Sequence, residues 1–279
     1  MARVYDVCTV DPKERTALKH ATGKEVREAV RSGEWTGITQ GLALGYVQAN
    51  LAVVPEEYAG EMLRFCHRNP KPCPLIDVTE PGDPEPREAA PGADVRTDLS
   101  RYRLYRNGVL TDEVSNIKAL WRKDHVAFLL GCSLSLDQAL LDADIPMRHL
   151  TLPDGRNAVY ISNIQCKPAG RLHGPMVISM RPIRKDLVLR TVEVSSKYPM
   201  GHGAPIHIGN PADVGIPDLA HTQWGKFHTL REDEVPVFWA CGITPQAIAM
   251  ACGIPEIITH TAGHMFITDL RLNGPARLI

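Results

Sequence analysis

The sequence predicts an α/β fold, with a mixed or parallel sheet that carries helices on both faces and an inserted smaller antiparallel α+β subdomain. Two runs, HVAFLLGC from His125 and VPVFWACG from Val235, have the apolar character of buried strands, and each passes through small residues into a helix-like segment. Between them, β-rich runs alternate with turn clusters, which is typical of antiparallel strands. We therefore expect an α/β core formed by residues 1–145 and 205–279 and a β-rich subdomain at residues 146–204.

The first third of the chain predicts two helices, two strands and a loop. Residues 22–32 begin with Thr22 and carry a Glu three residues later, which is the pattern of a capping box. The apolar run 45–54 predicts a buried strand, and an inward apolar stripe predicts a helix at 56–69. A short strand is expected at 75–78. The Pro-rich and Glu-rich segment 80–92 predicts an exposed loop.

Further along, we expect a strand at 102–105, a helix at 114–121, a strand at 125–132 and a helix at 135–143. Asn107-Gly108 is a strong turn signal. The runs AVYISNIQC, PMVISMRPI and LVLRTVEVS, all within residues 147–199, predict the strands of the inserted unit. The strand, small-residue turn and helix pattern then recurs at 235–250.

Composition and charge exclude several classes of protein. The 279 residues, 44% of them hydrophobic, are enough for one large domain or two modest ones with a substantial core. The 31 basic and 32 acidic residues give a net charge of -1, which provides no electrostatic surface for nucleic acid or an anionic membrane. No run approaches the roughly 18 apolar residues of a membrane span. We expect a soluble, cytoplasmic protein without nucleic acid or membrane partners.

The seven cysteines form no CxxC pair and no regular framework, which favours reduced thiols over a disulfide scaffold. No GxGxxG follows a strand, and no GxxxxGK[ST] occurs, so no nucleotide cofactor is predicted.

Residues 201–215, GHGAPIHIGNPADVG, indicate a functional loop. Glycine permits close approach to a ligand, and the prolines would stiffen the turns that aim His202 and His207. The alternative is an ordinary surface loop with solvated histidines. Similar polar and glycine-rich clusters recur in NPKPCP from Asn69, GCSLS from Gly131 and THTAGHMFITD from Thr259.

The two strand-to-helix turns predict an anion-binding edge of the sheet. Cys132, Ser133, Cys241 and Thr244 would lie near helix N-termini, whose free N–H groups suit an anionic substrate. A capped helix start is the alternative for each turn, and both interpretations can hold together.

Eight segments together resemble the D-glutamate cyclase family, over about residues 23–269. They are GYVQANL, FCHRNPKPCPL, DVRTDLSRYRLYRNG, DHVAFLLGCSLSLDQAL, NIQCKPAGRLHGPMVISMRP, HGAPIHIGNPADVGIPDL, PVFWACGITPQ and ITHTAGHMFITD. The resemblance implies a two-part α/β architecture and a lyase that cyclises D-glutamate to 5-oxo-D-proline with loss of water. The alternatives are a hydratase or dehydratase of another small carboxylic acid, or a small-acid binding protein without activity. The residue roles that follow are our own hypotheses.

Cyclising glutamate requires donors around both carboxylates and a group that carries protons near neutral pH. Guanidinium binds carboxylate in a bidentate fork, so Arg96 and Arg181 are candidate clamps, with Lys71 as a third cation. The alternative for each arginine is a structural ion pair, with Asp98 or another acid. The substrate-binding candidates are Asn50, Asn69, Lys71, Arg96, Ser133, Arg181, Gly203, Thr244 and Asp269.

The candidates for proton transfer are the histidines, because imidazole changes charge near neutrality. They are His202, His207, His260 and His264. A thiol nucleophile is the alternative, with Cys132 or Cys241 activated at a helix N-terminus. A divalent metal, held by these histidines with Asp213, Asp218 or Asp269, stays open. The expected partner is a small carboxylate substrate, and a homodimer is one option for the oligomeric state.

Overall fold

The computed structural model describes residues 17–151 and 156–273. The helices are α1 (Gly23–Ser32), α2 (Glu56–Arg68), α3 (Leu134–Asp142), α4 (Val188–Ser196) and α5 (Thr244–Ala251). The strands are β1 (Tyr46–Pro55), β2 (Leu75–Val78), β3 (Tyr102–Arg106), β4 (Val109–Val114), β5 (His125–Gly131), β6 (Ala158–Gln165), β7 (Pro175–Arg184), β8 (His207–Ile208), β9 (Glu234–Ala240), β10 (Glu256–His260) and β11 (Phe266–Arg271). Across the described residues, every helix is too short or too polar to cross a bilayer.

The strands form two sheets. The larger has the order β2-β5-β1-β10-β3-β4, and β11 also pairs with β1. The smaller has the order β6-β7-β9-β8. The predicted α/β class with a smaller β-containing unit is confirmed. The smaller sheet takes β6 and β7 from within residues 146–204 and β8 and β9 from beyond them, and the domain boundaries themselves stay a prediction.

The strand directions differ from the expected parallel arrangement, because every described pairing within the two sheets is antiparallel. The two strand-turn-helix units, β5 with α3 and β9 with α5, suggested neighbouring parallel strands. They belong instead to different sheets, so each strand reaches its neighbours without a parallel crossover. The two turns that follow β5 and β9 therefore meet between sheets, not along one sheet edge.

Local sequence signals explain several elements. The Thr22 hydroxyl accepts a bond from the Glu25 N–H, the Glu25 carboxylate accepts one from the Thr22 N–H, and Gly33 ends α1 at φ 83°. This capping box confirms the first predicted helix. Asn107 and Gly108 both have positive φ, 49° and 78°, which is the geometry of the tight hairpin turn between β3 and β4.

Two predicted elements are wrong. The run LVLRTVEVS is helix α4 after a 3-10 turn, although its β-branched residues favour a strand. In α4, the Thr191 hydroxyl donates to the Leu187 carbonyl (2.8 Å) and the Ser195 hydroxyl to the Thr191 carbonyl (2.7 Å), so the polar groups are satisfied within the helix. Packing of its apolar residues with α3 overrides the propensity.

The helix predicted at 114–121 is also absent. Pairing with β3 continues along the second hairpin strand as far as Val114, and only Lys118–Leu120 form a short 3-10 turn. The strand thus takes the first residue of the predicted helix, and the residues after it form no α-helix.

The larger sheet is buried on both faces, which explains the continuous apolar run of β1. Leu51 and Val53 pack into one cluster, while Val54 packs into another with Phe128 and Leu130 of β5. This central strand lies beneath the junction of the two sheets.

Candidate functional site

A cavity of about 80 Å³ lies where the turns after β5 and β9 meet. A single water needs about 10 to 15 Å³ of such space, so the cavity has room for a small organic molecule. Five residues predicted from the sequence line it: Asn50, Cys132, Ser133, Cys241 and His260. A larger groove, of about 550 Å³, lies near Arg148 and Glu234, and none of the predicted site residues lines it.

Asn50 on β1 joins the two turns. Its Nδ2 donates to the carbonyl oxygens of Leu130 (3.2 Å) and Gly131 (2.9 Å) at the end of β5. Gly242, in the turn after β9, packs directly on this amide: a Cβ there would overlap the Asn50 Nδ2 and lie 2.8 Å from the Gly131 carbonyl oxygen. The buried Asn50 amide therefore finds its hydrogen-bond partners in the backbone of the turn after β5. Because Gly242 has no side chain, the turn after β9 can pack directly against this amide.

His260 fills a break in the pairing of β1. β11 pairs with β1 as far as Ala49, and β10 pairs with it from Ala52, so neither strand pairs with Leu51. The His260 Nδ1 lies 3.2 Å from the Leu51 nitrogen and 3.3 Å from the Leu51 oxygen. Since the Leu51 backbone engages Nδ1, Nε2 is the ring nitrogen left for the cavity. Burial lowers the pKa of His260 to about 4, so the ring is neutral at physiological pH.

Cys132 and Cys241 lie at equivalent positions in the two turns. Burial raises the pKa of the Cys132 thiol to about 12 and that of the Cys241 thiol to about 11. The backbone N–H two residues further on, that of Leu134 for Cys132 and of Ile243 for Cys241, opposes this rise in pKa without overcoming it. The sulfurs are therefore neutral thiols near pH 7, not the activated thiolates that a helix N-terminus suggests.

The charge of the cavity comes from Arg156, just before β6. Among the lining residues it is the one lysine or arginine, and within the described chain no aspartate or glutamate lines the cavity. The wall near Arg156 is closed by Trp224, whose carbonyl accepts a bond from the Val159 N–H at 3.0 Å. A guanidinium in the lining of a cavity favours an anionic ligand.

Two lining amides have polar atoms without a partner among the described residues. The Nε2 of Gln40, a residue that is only 6% exposed, and the Oδ1 of Asn157 are buried and form no hydrogen bond with the described part of the chain. Leaving such atoms unpaired costs about 1 to 3 kcal/mol each. A ligand with both acceptor and donor groups would satisfy them.

Arg181 lies behind this wall instead of lining it. Its Nε and Nη2 donate to Asp137 Oδ1 at 3.0 and 2.9 Å, and Nη2 lies 3.2 Å from the Ser133 hydroxyl. The second oxygen of Asp137 is 3.2 Å from His149 Nε2. Although burial opposes ionisation, the charges of Arg181 and His149 hold the pKa of Asp137 below its usual value. Arg181 therefore supports the first turn through an internal ion pair.

The other predicted histidines have protein partners outside the cavity lining. His202 is buried, with Nδ1 2.8 Å from the Lys71 carbonyl oxygen and its Nε2 unpartnered. His264 Nδ1 lies 2.7 Å from the Ser100 hydroxyl. His207 Nε2 lies 2.8 Å from the Asn210 carbonyl oxygen. Burial lowers the pKa of His202 to about 4 and that of His264 to about 3.

The two charged candidates Arg96 and Asp269 are held in ion pairs. Arg96 pairs with Asp94 and Asp269 with Arg27, each at 2.9 Å. Arg96 thus forms a structural ion pair, which was the alternative to its binding a substrate carboxylate.

The remaining binding candidates bond to protein backbone or lie partly buried outside the cavity lining. Asn69 donates to Lys167 O at 2.8 Å, Thr244 donates to Cys241 O at 2.7 Å, and the Gly203 carbonyl accepts from Trp239 at 3.1 Å. Burial lowers the pKa of Lys71.

Over the parts of the chain that the structure describes, no group of three or more His, Cys, Asp or Glu side chains could hold a metal ion. Among these residues, the possible grouping of the predicted histidines with Asp213, Asp218 or Asp269 is not formed.

The sequence pattern did not single out Gln40, Arg156 or Asn157. Gln40 stands in a Gly-rich and Thr-rich stretch, and Arg156 and Asn157 close a turn cluster before a strand. Polar residues in such turns are normally solvated. One signal in the sequence could have identified Arg156 and Asn157. They directly precede a run of alternating residues that predicts a strand, and a turn residue in that position lies at the end of a sheet.

Comparison with known proteins places the chain among close relatives. A family model described as D-glutamate cyclase matches residues 126–269, which include most of the cavity lining. The chain is 56% identical over 257 residues to a protein of Stutzerimonas stutzeri (strain A1501), covering 92% of this chain and 96% of that protein. It is 55% identical over 250 residues to a protein of Geobacillus kaustophilus (strain HTA426), covering 90% and 95%. Both relatives carry the name "Putative hydro-lyase".

One solved structure, of a nitrogen repressor-like protein from Methanococcus jannaschii, covers 84% of this chain and 90% of that chain. At 12% identity and a TM-score of 0.39 the likeness is too distant to support an argument.

Proposed function

The chain belongs to the D-glutamate cyclase family and is a carbon–oxygen lyase of the hydro-lyase type, and we propose that it cyclises D-glutamate to 5-oxo-D-proline with loss of water. One observation carries the proposal: a small cavity is lined by an arginine and by two buried amide atoms that form no hydrogen bond with the described residues. The D configuration of the substrate is taken from the family name, and the chemical class of the ligand is inferred from the residues that line the cavity.

The lining complements an amino dicarboxylate. Arg156 provides the charge for a carboxylate, and the unpartnered Gln40 Nε2 provides a further N–H donor. Asn157 Oδ1 is an acceptor that matches an ammonium group. A ligand that carries carboxylates and an amine within a few bonds satisfies each of these groups, whereas a simple hydrocarbon satisfies none.

The reaction needs a proton carrier beside the amine. The ammonium group loses two protons, the nitrogen bonds to the carbon of the γ-carboxyl group, and the bond from that carbon to one of its oxygens breaks, so that this oxygen leaves with the two protons as water. His260 is neutral at physiological pH and its Nε2 is left for the cavity, so it can accept a proton from the ammonium group and pass it to the departing oxygen. The Leu51 backbone fixes the orientation of the ring.

The cavity also supplies the electrostatic environment. A carboxylate is a poor electrophile because of its negative charge, and the Arg156 guanidinium offsets this charge where few other groups compete. The internal pair of Arg181 and Asp137 keeps Ser133 in place, so the wall does not reorganise during the reaction.

The experiment incubates purified protein with D-glutamate, L-glutamate and a panel of hydroxy and unsaturated acids, with and without EDTA. Chiral chromatography measures 5-oxoproline against a blank without protein. We expect 5-oxo-D-proline from D-glutamate, and we expect Arg156→Gln to raise KM at least about tenfold, since a charge-assisted bond contributes roughly 1.5 to 3 kcal/mol.

Arg184→Gln is the matched control, because Arg184 pairs with Asp186 at the surface and lies outside the cavity. Its KM should match the parent protein. Hydration or dehydration of another acid, with no 5-oxoproline formed, would replace the proposed substrate while keeping the lyase class.

A further inference from the structure

The two turns of the cavity wall are built alike. In each, a buried strand ends, a cysteine follows, and the backbone N–H two residues later acts to lower the pKa of its thiol. The cysteine carbonyl accepts a backbone bond from three residues on, Ser135 N to Cys132 O at 3.1 Å and Thr244 N to Cys241 O at 3.0 Å. Helices α3 and α5, of 9 and 8 residues, then begin. The fold thus presents two thiols in the same local setting, one from each sheet.

Both thiols reach the same cavity, since Cys132 and Cys241 are each 9% exposed and each lines it. The remaining cysteines of the described chain lie outside this lining. An independent observation shows that the space beside the thiols is made for a polar ligand: the nearly buried Gln40 lines the same cavity with its Nε2 unpartnered.

We propose that Cys132 and Cys241 act as an acid–base pair on the α-carbon of the bound amino acid, so that the protein also exchanges and inverts that centre. The ligand class rests on the proposed function. The cyclisation uses the amine and the γ-carboxylate and leaves both thiols without a role, whereas thiols are among the groups that transfer protons in proteins. Two equivalent thiols on separate walls match the need of an inversion for a base on one side of the carbon and an acid on the other.

The step is balanced without any further reagent. One sulfur, as thiolate, takes the α-hydrogen as a proton, and the C–H electron pair moves into the adjacent carboxylate. For this step the ligand lies with its α-carboxylate, in place of its γ-carboxylate, toward Arg156 and the Gln40 amide, which stabilise the added negative charge. The other thiol gives its proton to the opposite face of the carbon, the electron pair returns, and this sulfur is left as the thiolate.

The protonation of the thiols gives the exchange a distinctive pH dependence. Both pKa values lie well above neutrality, so the form with one thiolate and one thiol is scarce at pH 7 and grows about tenfold per pH unit. The charge of Arg181 acts on both sulfurs, those of Asp137 and Cys241 act on Cys132, and Arg156 and His260 line the same cavity. Above neutral pH the rate should therefore rise with the thiolate fraction.

The test dissolves the protein and either enantiomer of glutamate in D₂O and follows the α-hydrogen by NMR and the enantiomers by chiral chromatography. We expect deuterium at the α-carbon and appearance of the opposite enantiomer, with inversion reduced at least about a hundredfold in Cys132→Ser and in Cys241→Ser. Cys252→Ser, in a cysteine outside the cavity, is the matched control and should exchange like the parent. Circular dichroism confirms that each variant is folded.

The two proposals fail separately in this experiment, because 5-oxoproline and α-deuterium are measured in the same sample. Formation of 5-oxoproline without α-deuterium overturns the thiol pair alone, and α-deuterium without 5-oxoproline overturns the cyclisation alone. Exchange that is equally fast in both cysteine variants and the parent also overturns the thiol pair.

Discussion

The His260 Nδ1 lies 3.2 Å from the Leu51 backbone nitrogen, at the point where neither β10 nor β11 pairs with β1. A gap in a ladder normally leaves a backbone N–H without a partner, and here an imidazole fills that gap. The same contact fixes the ring beside the cavity and leaves one nitrogen for a ligand. One side chain thus fills a gap in the sheet and is also the proposed proton carrier of the site.

Replacing His260 should affect turnover more than binding. His260→Gln removes the proton carrier while keeping a polar side chain, so kcat should fall by about 10² to 10⁴-fold with KM changed only a few-fold. Steady-state kinetics on D-glutamate measure both constants. His207→Asn, in a residue that bonds to Asn210 outside the cavity lining, should leave them unchanged. An unchanged kcat in His260→Gln contradicts the assigned role.

Breaking the internal ion pair should destabilise the protein strongly. Arg181→Met leaves the Asp137 carboxylate buried with only His149 beside it, and loss of one partner of a buried pair costs about 3 to 5 kcal/mol. The double variant Arg181→Met with Asp137→Leu removes the stranded charge, so it should be more stable than Arg181→Met alone. Urea unfolding measures both, and strictly additive losses speak against the pairing.

The junction of the two turns should not tolerate a methyl group. Gly242→Ala would push against Asn50 and the Gly131 carbonyl, and such overpacking costs about 1 to 3 kcal/mol. Gly60→Ala is the control, because nothing lies within 4 Å of a Cβ at Gly60 and alanine favours a helix interior by about 1 kcal/mol. Thermal unfolding should therefore shift down for the first variant and up for the second. Equal shifts of the same sign contradict this packing.

Mild acid should destabilise the fold through its buried imidazoles. The pKa values of His202 and His260, about 4, and of His264, about 3, lie below the ordinary 6.5, which the unfolded chain retains. As pH falls below about 6.5 the unfolded chain binds protons first, so the stability contributed by these neutral rings is complete above that value and is lost toward pH 4. In this window each ring lowers the free energy of unfolding by about 1.4 kcal/mol for each unit by which the pH falls.

Urea unfolding at a series of pH values from about 7 to about 5 measures this effect. Near pH 5 these three rings should together contribute roughly three protons to the slope, and His264→Asn should reduce the slope by about one. A free energy of unfolding that is constant over this range contradicts the burial of neutral imidazoles.

Elements with strong local signals were predictable from the sequence. The capping box of Thr22 and Glu25, the Asn107-Gly108 turn and the apolar run of β1 each determine local structure with residues close in the chain. LVLRTVEVS was not predictable in the same way, because packing with α3 decides between strand and helix there. Strand direction also depends on partners far along the chain, and the repeated strand-turn-helix pattern carries no information about which sheet each strand joins.

The site was partly predictable for the same reason. Cys132, Cys241 and His260 stand at strand ends, where the pattern alone marks a sheet edge. Arg181 belongs to a strand too, but its neighbour in space is Asp137, and no spacing in the sequence reports that pairing. Arg156 acquires its role only because the strand that follows it carries it to the junction of the sheets.

The most direct measurement uses D-glutamate that is labelled with ¹⁸O at both oxygens of the γ-carboxylate and follows the product by mass spectrometry. Loss of one γ-oxygen as water predicts 5-oxo-D-proline that carries a single ¹⁸O, formed faster than in the blank and far more slowly by Arg156→Gln at low substrate concentration. If the labelled D-glutamate is recovered unchanged, or if 5-oxoproline forms no faster than in the blank, the cyclisation is contradicted.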